Sequence, residues 1–181
     1  AYSADKVTKL ATNMLIELFE TNLKVLFVSS RTAANSIALS SICPPYGGIF
    51  CSDNAHIGGD ECGAPEFYTG GAKLVTLNGV NGKITPEELS ENVGGVGIVH
   101  HTQPSVVSIT QLCETGETYQ LDESSTIAET ENKHNLKMHM DGARFANALV
   151  SLGATPAEMT WKSGIDVLSF GATKNGCIAA E

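Results

Sequence analysis

The sequence has few basic residues and no long apolar run. Its 11 lysines and arginines are outnumbered by 20 aspartates and glutamates, which gives a formal net charge of -9 at pH 7. Such an acidic balance disfavours non-specific contact with nucleic acid or anionic membrane. No apolar segment approaches the roughly 20 residues that span a bilayer, and the first residues show no signal-peptide pattern. We therefore predict no nucleic-acid or membrane partner, which leaves small molecules or proteins.

Paired cysteines and nucleotide-binding motifs are also missing. The five cysteines are an odd number without C-x-x-C spacing, and some lie in apolar segments, where cysteine behaves as a small hydrophobe. This pattern fits a reducing cytosol better than a disulfide framework, so a cytoplasmic location is predicted. Neither G-x-x-x-x-G-K-[ST] nor G-x-G-x-x-G occurs, so a P-loop or dinucleotide site is not supported. His56, Asp60 and Cys62 match no standard zinc spacing, and no metal site is predicted.

The chain is long enough for one sizeable core but short for a two-domain enzyme, with 181 residues and 19.0 kDa. It contains no internal repeat or linker, so residues 1–181 are predicted to form one domain. The opening stretch AYSADKVTKL has the pattern of the inside of a helix, and Ala1 is not an initiator methionine. We therefore expect an excised or fragmentary chain.

Helical and strand patterns alternate along the sequence. Helices are predicted at 4–20, 121–135 and 143–150, and another is predicted after Thr85, which would cap it with Glu88 completing a capping box. Strands are predicted at 24–28, 47–51, 73–77, 97–101, 136–140 and 166–170, with a last one begun at 177–181. Continuously apolar strands separated by helices indicate an α/β fold with a mostly parallel sheet covered on both faces.

Ligands of such sheets bind at the carboxyl ends of the strands. The residues that follow the predicted strands are rich in polar and ionisable groups, at 29–32, 52–56, 100–103, 141–144 and 171–174. His100 and His101 would point to opposite faces of a strand, so at most one of them would enter a given cleft. The functional site is therefore predicted among these segments.

Lys174 follows an apolar run in the stretch DVLSFGATKNG. Lysine is almost never fully buried unless a partner compensates it. Lys174 is therefore either a surface lysine in a Gly-Asn turn or a Schiff-base lysine, whose amine becomes nucleophilic through desolvation.

Three further segments suit a cofactor that has a flat ring and a phosphate. Asp141, in HMDGARFANAL, is either a helix N-cap or a carboxylate that holds a cationic ring nitrogen, as in pyridoxal phosphate. Arg144 is either a solvated helix charge or a group in the same cleft. Thr32, in VSSRTAANSIALSS, lies where a helix start offers N–H groups to a phosphate, although threonine also caps many helices. His56 is either an ordinary loop histidine or one that stacks on the ring.

Four segments of the sequence resemble the low-specificity L-threonine aldolases of the β-eliminating lyase group, which are fold-type I pyridoxal phosphate enzymes. These segments are HMDGARFANALVSLGATPAEMTW, VLSFGATKNG, AHIGGDECGAPEFYTGGAKLV and TAAN. The resemblance implies the large domain of the aspartate aminotransferase fold, without a preceding N-terminal segment or the small C-terminal domain. It also implies pyridoxal 5'-phosphate as cofactor and a homodimer or homotetramer in the full-length protein.

The resemblance further implies a reaction and assigns residues to it. The reaction is retro-aldol cleavage of L-threonine or L-allo-threonine to glycine and acetaldehyde. Lys174 would form the imine, Asp141 would pair with the ring nitrogen, and His56 would stack on the ring. His56, directly or through water, would also be the base that takes the β-hydroxyl proton. Thr32 would hold the phosphate.

Other residues complete or depart from the family pattern. Arg144 would lie beside the cofactor or substrate, and Thr173 would contact the cofactor. Arg31 stands where relatives have glycine, and it either removes backbone freedom or contacts the phosphate as a charged donor. Gln103 stands where some relatives carry a second active-site histidine.

The resemblance also predicts what this chain would lack. The arginine that binds the substrate carboxylate comes from the C-terminal domain of the family, and nothing follows Glu181. An incomplete enzyme is therefore expected. Two alternatives stay open, namely another pyridoxal phosphate-dependent amino-acid lyase, such as a β-eliminating one, and a non-catalytic assembly subunit with the same fold.

Overall fold

The computed structural model describes residues 5–178 and Glu181, and within them it contains a five-stranded sheet. The strands are β1 (Gly47–Ser52), β2 (Lys73–Leu77), β3 (Gln103–Thr110), β4 (Lys137–Gly142) and β5 (Val167–Phe170), in the order β2-β1-β3-β4-β5. Each neighbouring pair of strands is parallel. The predicted α/β class with a mostly parallel sheet is confirmed.

Helices lie between the strands and at the amino end. They are α1 (Lys6–Phe19), α2 (Arg31–Ile42), α3 (His56–Gly59), α4 (Ala64–Tyr68), α5 (Pro86–Asn92), α6 (Leu121–His134), α7 (Phe145–Leu152) and α8 (Pro156–Met159), with 3-10 turns at Trp161–Ser163 and Thr173–Asn175. No helix in the described part of the chain is both long and apolar enough to cross a membrane.

The amino end of α5 differs from the predicted capping box. The hydroxyl of Thr85 caps the helix as expected, because it accepts the N–H of Glu88 at 3.2 Å. The carboxylate of Glu88 accepts the N–H groups of Asn78 and Gly79 instead, at 2.8 and 2.9 Å. Glu88 therefore ties α5 to the turn that follows β2 rather than to its own N-cap.

Apolar side chains are buried on both faces of the sheet. Neighbouring residues of a strand point to opposite faces, so Val106 belongs to one core with Ile49, whereas Val107 belongs to the other with Met140. A strand that is covered on both sides needs consecutive apolar residues, such as Ile49, Phe50 and Cys51 in β1 and Val106 and Val107 in β3. The sequence pattern thus reflects the layer arrangement directly.

Two of the predicted strands are wrong. Residues 97–101 form turns, because Gly95 and Gly97 both have φ of 76°, a left-handed conformation that interrupts a strand. The real strand begins only at Gln103. Within the described residues, 24–28 belong to no strand, although Val28 exchanges two backbone hydrogen bonds with Glu181, at 3.1 and 3.3 Å. The strand predicted at 177–181 includes positions 179–180, which lie outside the described residues.

Three phenylalanines connect α1, α7 and β5. The ring centroids of Phe19 and Phe145 are 5.8 Å apart, those of Phe19 and Phe170 are 5.6 Å apart, and those of Phe145 and Phe170 are 5.3 Å apart. The indole N–H of Trp161 donates to the carbonyl of Phe19 at 2.7 Å and fixes the end of α1. Such tilted and edge-on pairs stabilise a core beyond the area that they bury.

We predict that Phe145→Ala lowers the free energy of unfolding by about 3–5 kcal/mol, because the change leaves a cavity between two other rings. Urea unfolding followed by circular dichroism measures this loss. Phe67→Ala is the matched control, since Phe67 is 78% exposed, and it should cost less than about 1 kcal/mol. Equal losses in the two variants would contradict the described core.

Candidate active site

The polar residues at or after the ends of β1, β3, β4 and β5 lie at the carboxyl edge of the parallel sheet. Asp141 lies near the end of β4, where it is in register with Thr110 of β3 and Ser169 of β5. His56 begins α3 after β1, and Lys174 lies in the 3-10 turn after β5. Side-chain contacts across this edge join Asp141 to Arg31 of α2 and, through Asn35 and Glu61, to His56. We call the space beside these residues, next to the Lys174 turn and the amino end of α2, the cleft.

Asp141 is a buried carboxylate that accepts hydrogen bonds from several neighbouring groups. It is 1% exposed, and its Oδ1 accepts the N–H of Ala143 at 3.1 Å. Its Oδ2 accepts the amide of Asn35 at 3.0 Å, and Nη2 of Arg31 lies 2.9 Å from Oδ1 and 3.0 Å from Oδ2. The N-cap of α7 is Arg144 rather than Asp141. Of the two alternatives from the sequence, the N-cap is therefore wrong, and a buried anion that can hold a cation remains.

A chain of hydrogen bonds, which we call the buried polar chain, joins Asp141 to His56 through Asn35 and Glu61. The amide of Asn35 donates to Oε1 of Glu61 at 2.8 Å, and the same oxygen lies 2.9 Å from Nδ1 of His56. Asn35 and Glu61 are 0% and 3% exposed. A carboxylate at Nδ1 fixes the ring orientation and favours the tautomer whose Nε2 accepts a proton.

Asn35 and Glu61 were not predicted from the sequence as site residues. Glu61 lies between Asp60 and Cys62, which drew attention only as a zinc pattern; among the described residues, no cluster of three or more histidines, cysteines and carboxylates suits a metal ion. Asn35 lies one helical turn after Arg31, so both side chains of α2 point toward the end of β4. This helical spacing is the one signal in the sequence that pairs Asn35 with Arg31.

Lys174 reaches the cleft from an exposed turn rather than from the inner end of a strand. Lys174 is exposed in the turn Thr173–Asn175, as the surface-lysine alternative predicts, because Gly171 and Ala172 separate it from β5. The amide of Asn175 donates to the carbonyl of Gly171 at 2.6 Å and closes this turn. Partial desolvation lowers the pKa of the Lys174 amine, and the nearby guanidinium groups of Arg144 and Arg31 lower it further.

Two glycines allow the turns after β4 and β5 to pack backbone against backbone. A Cβ on Gly171 would lie 2.7 Å from Cα of Ala143, and a Cβ on Gly142 would lie 2.9 Å from the carbonyl oxygen of Ser169. No side chain fits in either space without moving the main chain. The close approach is what brings the Lys174 turn beside Asp141.

Arg144 forms a two-nitrogen ion pair with Glu114, a residue that follows β3. Its Nη1 and Nη2 lie 3.0 and 2.9 Å from the two carboxylate oxygens, and both side chains are about one-quarter exposed. The hydrogen bond from Arg144 is the main cause of the lowered pKa of Glu114, to which Lys174 and His56 also contribute. Glu114 therefore belongs to the same cleft.

Glu114 was not predicted as a site residue, because the third strand was predicted at 97–101 and lies instead at Gln103–Thr110. Gln103, which was predicted to lie near the site, is at the opposite end of β3. It precedes Thr110, the residue in register with Asp141, by seven strand residues, which corresponds to about 23 Å along the strand. Its amide oxygen accepts the N–H of Gly97 at 2.8 Å and its nitrogen donates to the carbonyl of His101 at 2.9 Å. Gln103 and the neighbouring His100 and His101 are therefore not site residues.

The amino end of α2 offers free N–H groups at the cleft. Oγ of Ser30 accepts the N–H of Ala33 at 3.3 Å, and its carbonyl accepts that of Ala34 at 3.0 Å. The N–H groups of Arg31 and Thr32 have no acceptor among the described residues. A helix start of this kind suits an anion such as a phosphate. The roles of Thr32 and of the exposed Thr173 stay predictions.

His139 lies beneath Asp141 on the same strand and is fully buried. Its Nδ1 is 2.9 Å from Oγ of Ser108, and its Nε2 is 3.0 Å from Oγ of Ser169. Desolvation lowers the pKa of His139 to about 4, against the opposing effect of Asp141. The imidazole is therefore neutral at pH 7 and connects three strands without adding charge to the site.

Comparison with known proteins gives one consistent result. A family model described as beta-eliminating lyase matches residues 1–181. A low specificity L-threonine aldolase of Pseudomonas sp. (strain NCIMB 10558) is 49% identical, and one of Pseudomonas aeruginosa is 44% identical; each alignment covers 100% of this chain and 52% of the relative. The solved threonine aldolase of Leishmania major superposes with a TM-score of 0.91 at 30% identity, over 99% of this chain and 52% of that one. The chain thus spans about half the length of the curated relatives it matches.

We predict that His139 contributes a loss of stability as the pH drops from about 6.5 toward 4. Its folded pKa, about 4, lies below the unfolded value of 6.5, so the unfolded state takes up a proton that the folded state refuses. The slope from one such group is at most about 1.4 kcal/mol per pH unit. Urea unfolding of the chain at pH 7 and pH 5 measures it.

His139→Gln should remove this contribution from the pH dependence of stability, whereas His100→Gln, which changes an exposed histidine, should leave the pH dependence unchanged. An identical slope in His139→Gln and in the unaltered chain would show that His139 does not titrate as described.

Proposed function

Because the chain belongs to the beta-eliminating lyase family, we propose that it is the cofactor-binding part of a pyridoxal 5'-phosphate-dependent aldehyde-lyase. The proposed reaction is retro-aldol cleavage of L-threonine or L-allo-threonine to glycine and acetaldehyde. One observation carries the proposal, namely that a lysine, a buried aspartate and an oriented histidine meet at the carboxyl edge of one parallel sheet. The names of the relatives, all threonine aldolases where identity is highest, support the same reaction.

The residues of the cleft fit this cofactor. Asp141 is a buried anion that can hold a cation, as it holds Arg31, and the α2 start has free N–H groups for a phosphate. Oδ1 of Asn35 and Oε2 of Glu61 are buried without a hydrogen-bond partner among the described residues, so polar capacity is left in the site. Lys174 supplies a primary amine. When bound, pyridoxal phosphate withdraws electrons from the bond-breaking centre and stabilises the negative charge that forms there.

Lys174 is the nucleophile of the proposal. A lowered pKa leaves more of its amine unprotonated near neutral pH, which is the form that can attack a carbonyl group. Partial desolvation and then the two nearby guanidinium groups lower this pKa from its ordinary value. The exposed turn lets the side chain reach a cofactor at the sheet edge. Arg144 is held by Glu114, so its position in the cleft is fixed rather than free.

His56 is the proposed base. Glu61 contacts Nδ1, which leaves Nε2 to accept the proton of the substrate β-hydroxyl, directly or through a water molecule. The buried polar chain also links His56 to Asp141, so the group that takes the proton and the group that holds the ring are fixed relative to each other. Glu61 and Asn35 are positioning residues in this scheme.

A β-elimination reaction is the second candidate, because the matched family model is described as beta-eliminating lyase. The two reactions use the same cofactor residues and differ in the bond that breaks. Product analysis with threonine, allo-threonine and serine separates them, since only aldol cleavage releases glycine. Self-association of the full-length protein as a homodimer or homotetramer, and a cytoplasmic location, belong to the same proposal.

We predict that Lys174 is the residue that binds the cofactor covalently. The chain is incubated with pyridoxal 5'-phosphate, reduced with borohydride, digested and examined by mass spectrometry, and the pyridoxyl group is expected on Lys174. Lys174→Ala should remove the label. Lys162→Ala should keep it, because Lys162 is an exposed lysine that pairs with Glu20 far from the cleft. A label spread evenly over Lys162 and Lys174, or no label at all, contradicts the proposal.

A further inference from the structure

We propose that Arg31 occupies the place on Asp141 that a cofactor ring N–H needs, and that a bound phosphate group releases it. The inference rests on the proposed cofactor and concerns the order of events at this site. It makes Arg31 a positioning residue that couples the two ends of the ligand. A ring without a phosphate should bind poorly, because nothing draws Arg31 away from Asp141.

The first argument is that the donors already present leave neither oxygen of Asp141 accessible to another donor. An ionised carboxylate has about four lone-pair sites. Oδ2 accepts hydrogen bonds from Asn35 and from Nη2 of Arg31, each at 3.0 Å, and Oδ1 accepts the N–H of Ala143 at 3.1 Å. The same Nη2 lies 2.9 Å from Oδ1 as an ion-pair contact. Asp141 is 1% exposed, so no side of the group faces solvent. A further N–H can bind only if one of these donors leaves.

The second argument is that Arg31 is the donor able to leave. Ala143 donates through its main chain, and Asn35 is 0% exposed and held from the other side by Glu61. The side chain of Arg31 is 12% exposed, and a single nitrogen makes both of its contacts with Asp141. Its Nε is buried without a partner. A buried donor without an acceptor raises the free energy of this arrangement, so an arrangement in which Nε also finds an acceptor would be more stable.

The third argument is that a better partner would lie beside Arg31. Arg31 is the first residue of α2, and its own N–H and that of Thr32 have no acceptor among the described residues. A phosphate bound there would lie next to the guanidinium group, which forms strong two-nitrogen contacts with phosphates. Moving from Asp141 to the phosphate would satisfy Nε and free the carboxylate at the same time.

Pyridoxine and pyridoxine 5'-phosphate test the coupling. Neither has an aldehyde, so neither reacts with Lys174, and a failure of the covalent proposal leaves this test intact. Isothermal titration calorimetry is done on the chain and on Arg31→Gln. Removing the competing charge should raise the association constant of pyridoxine at least tenfold. The constant of pyridoxine 5'-phosphate should change less or fall, because the phosphate loses a partner. Lys162→Gln, which removes an exposed charge, should change neither.

Two other outcomes overturn the proposal. If Arg31→Gln weakens both ligands by the same factor, Arg31 has only a structural role. If it weakens pyridoxine 5'-phosphate and leaves pyridoxine unchanged, Arg31 is an ordinary phosphate ligand that does not block Asp141.

A measurement on the unaltered chain covers the case in which Arg31→Gln does not fold. Saturating inorganic phosphate should raise the association constant of pyridoxine at least threefold, because the phosphate draws Arg31 from Asp141 and the two ligands then favour each other. An unchanged or lowered constant overturns the proposal.

Discussion

A negative charge buried at the end of β4 sets the requirements for the whole site. A carboxylate removed from water is strongly destabilising unless donors surround it. Asp141 meets this condition through a guanidinium group and an amide from α2 and through the N–H of its own turn. The α2 helix must therefore begin beside β4, although about 100 residues separate the two in the sequence. Arg31 and Asn35 hold it there.

The sheet provides the rest of the geometry. Parallel strands end at the same edge, so groups from distant parts of the chain arrive together without a long loop. The register of β4 with β5 places Asp141 opposite Ser169, and Gly171 then lets the Lys174 turn pack against Ala143. The hydrogen bonds of the buried polar chain also fix the position of His56 relative to Asp141. The main-chain positions of Asp141, Lys174 and His56 are thus fixed relative to one another.

Much of the fold could be predicted because strand and helix patterns are local. The apolar run of β1 indicates burial on both faces of the sheet. The polar residues at the carboxyl ends of β1, β4 and β5 indicated His56, Asp141 and Lys174. The third strand was misplaced because glycines at 95 and 97 interrupt an apolar run that otherwise resembles a strand, whereas serines and threonines in β3 hide the real one. Glu114 was lost with it.

The contacts that connect the site could not be predicted, because they join residues far apart in sequence. Asn35 and Glu61 are separated by 26 residues, and Asn35 and Asp141 by 106. The sequence showed that Arg31 replaces a glycine of the family pattern. Only the structure shows that its guanidinium group contacts Asp141 rather than lying free at the start of α2. Tertiary hydrogen bonds of this kind leave no periodic signal.

The most direct test of the account is the protonation of the cofactor ring. The chain is loaded with pyridoxal 5'-phosphate that carries 15N at the ring nitrogen, and its NMR signal is recorded at about pH 7.5, within the range of about pH 5–8 where folded proteins are most stable. The account predicts a protonated nitrogen, which Asp141→Ala converts to the unprotonated form and the exposed-site variant Asp122→Ala leaves unchanged. An unprotonated nitrogen in the unaltered chain would contradict the role of the buried carboxylate.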